Sequence, residues 1–179
     1  MAYNPFAGAG SAFLVIYYLT CYSIAIAAAV LSLLASWKMF IKMGEPGWKG
    51  IIPFYNVYVM FQKVWTVKNF WKYIISVCVF ILPYIIGLLL TIMGGVFMAQ
   101  GDNLLTPGVV MLIIGMVFLL VALAAAIYAL VVYFGLCKRL ALSFGKPAGF
   151  AWGLLFLSTI FLMIIGFDKS AFVGKQIPD

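Results

Sequence analysis

From Ala12 to Ser36 the chain carries no charged residue, and three further stretches are almost as free of charge. Such runs restrict the possible folds more than anything else in the sequence. A helix of about 20 apolar residues spans the hydrocarbon core of a bilayer. Backbone groups at that depth find no water, so the segment has to be a helix or part of a closed barrel. The runs are too long for barrel strands. The expected fold is therefore an all-α membrane protein with four transmembrane helices at 12–36, 70–99, 109–134 and 150–167. The last is the shortest, and all belong to a single membrane domain over 1–179.

Composition excludes the soluble alternative. Only 8% of residues are charged, 67% are hydrophobic and the mean hydropathy is +1.21. A water-facing surface needs roughly a quarter of residues charged. The net charge of +7 accordingly points to orientation and anionic headgroups rather than to nucleic acid. No positive charge precedes the first run, which is also too long for a signal-peptide core, so no cleavage is expected. Cys21, Cys78 and Cys137 sit in apolar surroundings without CxxC spacing and read as small buried hydrophobes.

The connection between the first two spans is more particular than lipid requires. Trp37, Lys38 and Lys42 mark an interface, where an aromatic ring lies beside snorkelling cations. Gly44 and Pro46-Gly47 then end the helix, followed by Trp48. Pro53 suits the first turn of a new helix. At 100° per residue Phe54, Val57, Met60, Phe61, Val64 and Trp65 share one arc, and Tyr55, Asn56, Tyr58, Gln62, Lys63 and Thr66 the other. Only Val59 breaks the pattern. This predicts a cytoplasmic interfacial amphipathic helix over 53–67. Asn56 or Tyr55 is expected to bond to backbone in the turn or in the connection between the third and fourth spans.

Pro83 falls in mid-span and should kink the second helix. Gln100 to Asn103 make a polar turn. Phe144-Gly145-Lys146-Pro147-Ala148-Gly149 break the third helix. The Gly-Glu-Pro of the first connection and the Gly-Lys-Pro of the second form a faint repeat, either a duplication or the ordinary recruitment of Gly and Pro to helix ends. Nine of the eleven Lys and Arg residues fall in these two connections, leaving Lys169 and Lys175 beyond the fourth span. By the positive-inside rule both connections are cytoplasmic and both termini outside.

Little here can carry chemistry. With no histidine, His-based triads and His-ligated metal sites are unavailable. Glu45, Asp102, Asp168 and Asp179 all lie outside the expected spans, which leaves no intramembrane acid for an ion pathway. Ser36 with Lys38, Ser143 with Lys146 and Lys169 with Ser170 are the conceivable dyads, but they read as solvated interfacial groups. No cofactor is indicated. The small-residue runs 25–29 and 122–126 permit close helix approach, within the chain or against a partner.

With those residues in view, the chain resembles a family of small bacterial membrane proteins of unknown function. The resemblance rests on Gly44-Glu45-Pro46-Gly47-Trp48 with Ile52-Pro53-Phe54-Tyr55-Asn56-Val57-Tyr58. A second mark comprises Ala141 to Lys146, Gly149-Phe150, Ile165-Gly166-Phe167 and Val173-Gly174. It implies a multi-pass protein of the bacterial cytoplasmic membrane. Family members are sometimes labelled signal peptidase I, a label that the absence of an extracytoplasmic domain argues against. The candidate structural or partner-binding residues are Pro46, Gly47, Trp48, Pro53, Tyr55, Asn56, Tyr58, Gly145, Lys146 and Gly149. The expected function is non-catalytic: binding as an accessory or scaffolding subunit of a larger complex, with other membrane protein subunits and anionic lipid headgroups as partners. The alternative is a small transporter or channel for a neutral or lipid-like solute, with the Pro83 kink lining its path.

Overall fold

A computed structural model describes residues 6–101 and 105–176. Its helices are α1 (Phe6–Lys42), α2 (Tyr55–Val64), α3 (Val67–Ala99), α4 (Leu105–Ser143), α5 (Phe150–Phe156) and α6 (Ser158–Phe167), with a 3-10 turn at Gly47–Gly50. Three of them, α1, α3 and α4, are long and apolar enough to cross a membrane. At ~1.5 Å per residue they are about 50 to 60 Å long, so their ends reach well beyond a hydrocarbon core of about 30 Å. Asp102 and Asn103 of the expected polar turn lie outside the described residues, as does Asp179.

The fourth span is not a continuous helix. At Leu157 the backbone leaves the helical region (φ −126°, ψ 46°) and separates α5 from α6. The Phe150 and Phe161 rings then meet with centroids 4.6 Å apart. In a straight helix those two residues would be about 16 Å apart along the axis. A Cβ on Gly153 would run into the same Phe161 ring. The two short helices are therefore folded back on one another. α5 packs on α4, with Phe134 and Trp152 centroids 4.5 Å apart, and α6 returns along α1. The backbone stays bonded through the break: Leu157 N–H donates to Gly153 and its carbonyl accepts from Phe161. Pieces of 7 and 10 residues reach only about 10 and 15 Å.

No closed four-helix bundle forms. α3 and α4 make a tight antiparallel hairpin through paired glycines. A Cβ on Gly87 would sit 2.9 Å from the Gly115 carbonyl oxygen, and one on Gly94 2.8 Å from that of Gly108. Ser76 Oγ donates to the Ala125 carbonyl across this seam at 2.9 Å. α1 stands apart. Among the described residues its backbone comes close only to the 3-10 turn and α6, and every side chain from Phe13 to Leu31 is exposed. The run at 25–29 is thus unpaired, whereas Ala122 is buried. Cys21 and Cys78 also face outward, contrary to expectation; Cys137 is buried. The helix runs unbroken through Pro83.

The hydrophobic core lies at one end. It joins Met39, Phe40 and Met43 of α1 to Val59, Phe61 and Val64 of α2, Phe70 of α3, the last three turns of α4, and Ala151, Leu154 and Ile165 from the folded-back pair. This is the end that carries the cations.

Candidate functional site

Both connections open with the same helix stop. At the end of α1, Glu45 N–H donates to the Phe40 carbonyl at 3.0 Å and Gly44 N–H to that of Ile41 at 3.0 Å. At the end of α4, Lys146 N–H donates to Ala141 at 2.9 Å and Gly145 N–H to Leu142 at 2.9 Å. These are paired Schellman bonds, which satisfy the last helical carbonyls and require a left-handed residue. Gly44 (φ 73°) and Gly145 (φ 68°) supply it. Pro46 and Pro147 follow where no helix could continue. The faint sequence repeat is therefore one capping device used twice.

The residue after each glycine carries an ion pair that fastens the next segment. Glu45 accepts from Lys49 and from Lys63, each at 2.7 Å, tying the 3-10 turn to α2. The bonds from Lys49 and then Lys63 hold its carboxyl below the usual range. Lys146 pairs with Asp168 at the end of α6. Lys42 reaches the same place from α1, donating to the Ile165 and Asp168 carbonyls at 2.6 and 2.7 Å and to Asp168 Oδ1 at 3.2 Å. A helix C-terminus leaves carbonyls unsatisfied and a partial negative charge, so a lysine there caps both. Burial alone would raise the Asp168 pKa. The bonds from Lys146, Ser170 and Lys42 outweigh it and hold the carboxyl well below the usual range. Val173 N–H then donates to the Ser143 carbonyl at 2.8 Å.

These contacts correct the expected topology. The tail after 167 comes back to the end that holds both connections, so it cannot lie on the opposite side from them. All eleven cations, Lys169 and Lys175 included, belong to one rim.

The candidate residues gather along this rim as two groups. Pro46 precedes the 3-10 turn in extended conformation. Gly47 lies under the Trp37 indole, whose ring atoms would be 2.5 Å from an added Cβ. Trp48 stacks on Tyr55 and Tyr55 on Tyr58, both with centroids 6.1 Å apart. Tyr58 meets Phe70 edge-on at 5.2 Å, so the aromatic row runs from the turn across α2 into α3. Asn56 Nδ2 donates to the Gly50 carbonyl at 3.4 Å, a long bond in the expected place. The second group is Gly145, Lys146 and Gly149, of which Gly149 precedes α5 with nothing near its Cα position. It joins the end of α1 through Asp168, not through the aromatic row.

Pro53 does not start the helix. Tyr55 N–H bonds back to its carbonyl at 2.7 Å, a three-residue turn with Phe54 at φ 63°, and α2 begins only at Tyr55. The predicted two-faced helix is also enclosed on more sides than expected. Val59, the residue that broke the arc, is 2% exposed, and Phe54 is 74% exposed. α2 is wedged between the ends of α3 and α4 and the 3-10 turn.

Sequence reasoning missed Asp168 as a junction, because its partners on α1 lie more than a hundred residues away. It also missed Arg139, whose guanidinium lies 3.9 Å from the Trp65 ring centroid. That stack forms one wall of a cleft of about 720 Å³ between the start of α3 and the end of α4. The conceivable dyads are otherwise engaged. Ser143 Oγ, fully buried, donates to the Arg139 carbonyl at 2.8 Å, and Ser170 Oγ donates to Asp168. No group of potential metal ligands occurs among the described residues. Comparison with family models, with curated proteins and with solved structures finds no match to the chain.

Proposed function

We propose that this protein is a non-catalytic integral membrane protein that acts by binding, as an accessory or scaffolding subunit of a larger membrane assembly. The observation that carries the reading is α1. It is anchored only at its cationic end, while its length from Phe13 to Leu31 meets no other part of the described chain. Along that length Ala25 and Ala29, four residues apart, make a small-residue face of the kind that lets helices approach closely in lipid. A binding role rather than a catalytic one also suits the engagement of Ser143 and Lys146 in structural bonds.

The basic rim is assigned to the cytoplasm of a bacterial cell, in keeping with the resemblance carried by Gly44 to Trp48 and Ile52 to Tyr58. Eleven cations at one end are the strongest bias the positive-inside rule can have in this chain. With three spans and a folded-back fourth segment, the N-terminus is then outside and the C-terminal tail inside.

Purification from the native membrane in mild detergent tests this reading. A stoichiometric membrane-protein partner should accompany the chain and be lost from Ala25→Leu/Ala29→Leu. Both positions are exposed, so the variant should melt at the wild-type temperature. A chain that purifies alone, or a variant that keeps every companion, overturns it.

A further inference from the structure

The rim cations are not equivalent. Lys49 and Lys63 are held by Glu45, and Lys42 and Lys146 by Asp168. Lys68 and Lys72, on the first two turns of α3, pair with no carboxylate among the described residues. Both point into the 720 Å³ cleft, which Arg139 and Lys175 also line, together with Trp65 and Thr66. No acidic residue is among its described lining residues. The N-terminus of α3 opens here too, adding the positive end of a long helix. Arg139 lies flat against Trp65, which fixes the guanidinium plane and leaves its donor edges available to a planar or tetrahedral oxyanion.

A second cavity of about 480 Å³ starts at the same Lys72. It descends between α3 and α4 past Ser76 and Val79 on one side and Val121, Ala125 and Tyr128 on the other. The Ser76 hydroxyl is spent on Ala125, so what this groove offers a ligand is apolar. From Lys72 to Val79 the helix descends about 10 Å, from the level of headgroups into that of acyl chains.

A cationic cup at the rim that continues into an apolar groove toward the bilayer interior matches one kind of molecule. We propose that this surface binds an anionic phospholipid, with its phosphate headgroup between Lys68, Lys72 and Arg139 and one acyl chain in the groove between α3 and α4. Charge complementarity selects the headgroup, and the shared Lys72 sets its register with the chain. The site is independent of any protein partner, so it stands or falls on the purified chain alone.

Native mass spectrometry of the full chain, purified in detergent and titrated with phosphatidylglycerol or phosphatidylcholine, tests it. A cation near the surface is worth about fivefold in affinity for an anionic lipid. Lys68→Gln/Lys72→Gln should therefore weaken phosphatidylglycerol binding at least about tenfold. Lys38→Gln/Lys138→Gln, which removes the same charge from elsewhere on the rim, should leave it within about twofold of the wild type. Val79→Phe, at an exposed position in the groove, should weaken phosphatidylglycerol binding and spare that of inorganic phosphate. Equal losses in the two lysine pairs would reduce the site to a diffuse basic rim and overturn the proposal. So would equal affinity for phosphatidylcholine, or a Val79→Phe variant with undiminished lipid binding, which would leave only a free-phosphate site.

Discussion

Asp168 collects donors from three segments: Lys42 at the end of α1, Lys146 after α4, and Ser170 through both its hydroxyl and its N–H. With its side chain a quarter exposed, it lies between a surface pair, worth under about 1 kcal/mol, and a buried one, whose breaking costs roughly 3 to 5 kcal/mol. Asp168→Asn should therefore cost about 2 kcal/mol, read as a lower melting temperature in detergent. Its pH dependence has a fixed sign. The folded carboxyl titrates below its unfolded value, so the stabilisation is complete above about pH 4 and is lost as pH falls through the acid range. The gap between wild type and Asp168→Asn should stay constant from neutrality to about pH 4 and close below it. A gap that widened on acidification would mean the carboxylate is not what the two lysines hold. None of this was legible in the sequence. Asp168 reads there as one acid of a polar tail, and only folding brings Lys42 to it. By contrast, Gly44 and Gly145 could be recognised as helix stops, because the demand for a left-handed residue before a proline is local.

Elements show the same division between local and non-local signals. The three long spans were readable because charge-free runs of that length have no other place to go. The fourth run, 150–167, is equally apolar, yet it doubles back. Hydropathy cannot distinguish a span from a folded-back pair of the same length, since both keep apolar side chains away from water. What separates them is the Gly153–Phe161 contact, and a glycine facing an aromatic ring eight residues on is not a pattern that periodicity exposes. Val59 was misread for a related reason. A helix arc reports one buried face, whereas α2 is covered by α3, α4 and the 3-10 turn together. The α3–α4 seam allows a sharp comparison between neighbouring glycines. A Cβ on Gly94 meets the Gly108 carbonyl oxygen at 2.8 Å, and one on Gly95 has nothing within 4 Å. Gly94→Ala should destabilise the hairpin by about 1 to 3 kcal/mol as the backbones are forced apart. Gly95→Ala should be neutral or stabilise by up to about 1 kcal/mol, because alanine is the better helix former. Thermal unfolding of both variants in one detergent checks the pair. Similar losses in the two would show that α3 and α4 do not meet through this face.

At the scale of the whole molecule, the packing that defines the protein is concentrated at one end. Every helix sends a side chain to the core between Met39 and Ile165, and the rest of the three spans is left to each other or to their surroundings. Such a molecule is a platform at the rim with a hairpin and a single helix extending from it. Its integrity rests on the connections, and for that reason the caps, the Glu45 and Asp168 ion pairs and the aromatic row all occur there. The folded-back α5–α6 pair closes the platform and fixes where the chain ends up, which makes its topology testable in cells. In a chain lacking Cys21 and Cys78, single cysteines can be placed at three exposed positions. Ala148→Cys probes the connection after α4, Ala171→Cys the tail, and Gln100→Cys the opposite end of the α3–α4 hairpin. With an impermeant maleimide, Gln100→Cys should react in intact cells, and the other two only after permeabilisation. The pairing of Ala148 with Ala171 is the decisive part, because Lys146 and Lys42 both hold Asp168 three residues before it. Reaction of Ala171→Cys together with Gln100→Cys would mean that 150–167 crosses the membrane after all. The shared rim, and with it the contribution of Lys175 to the lipid cleft, would then have to be abandoned.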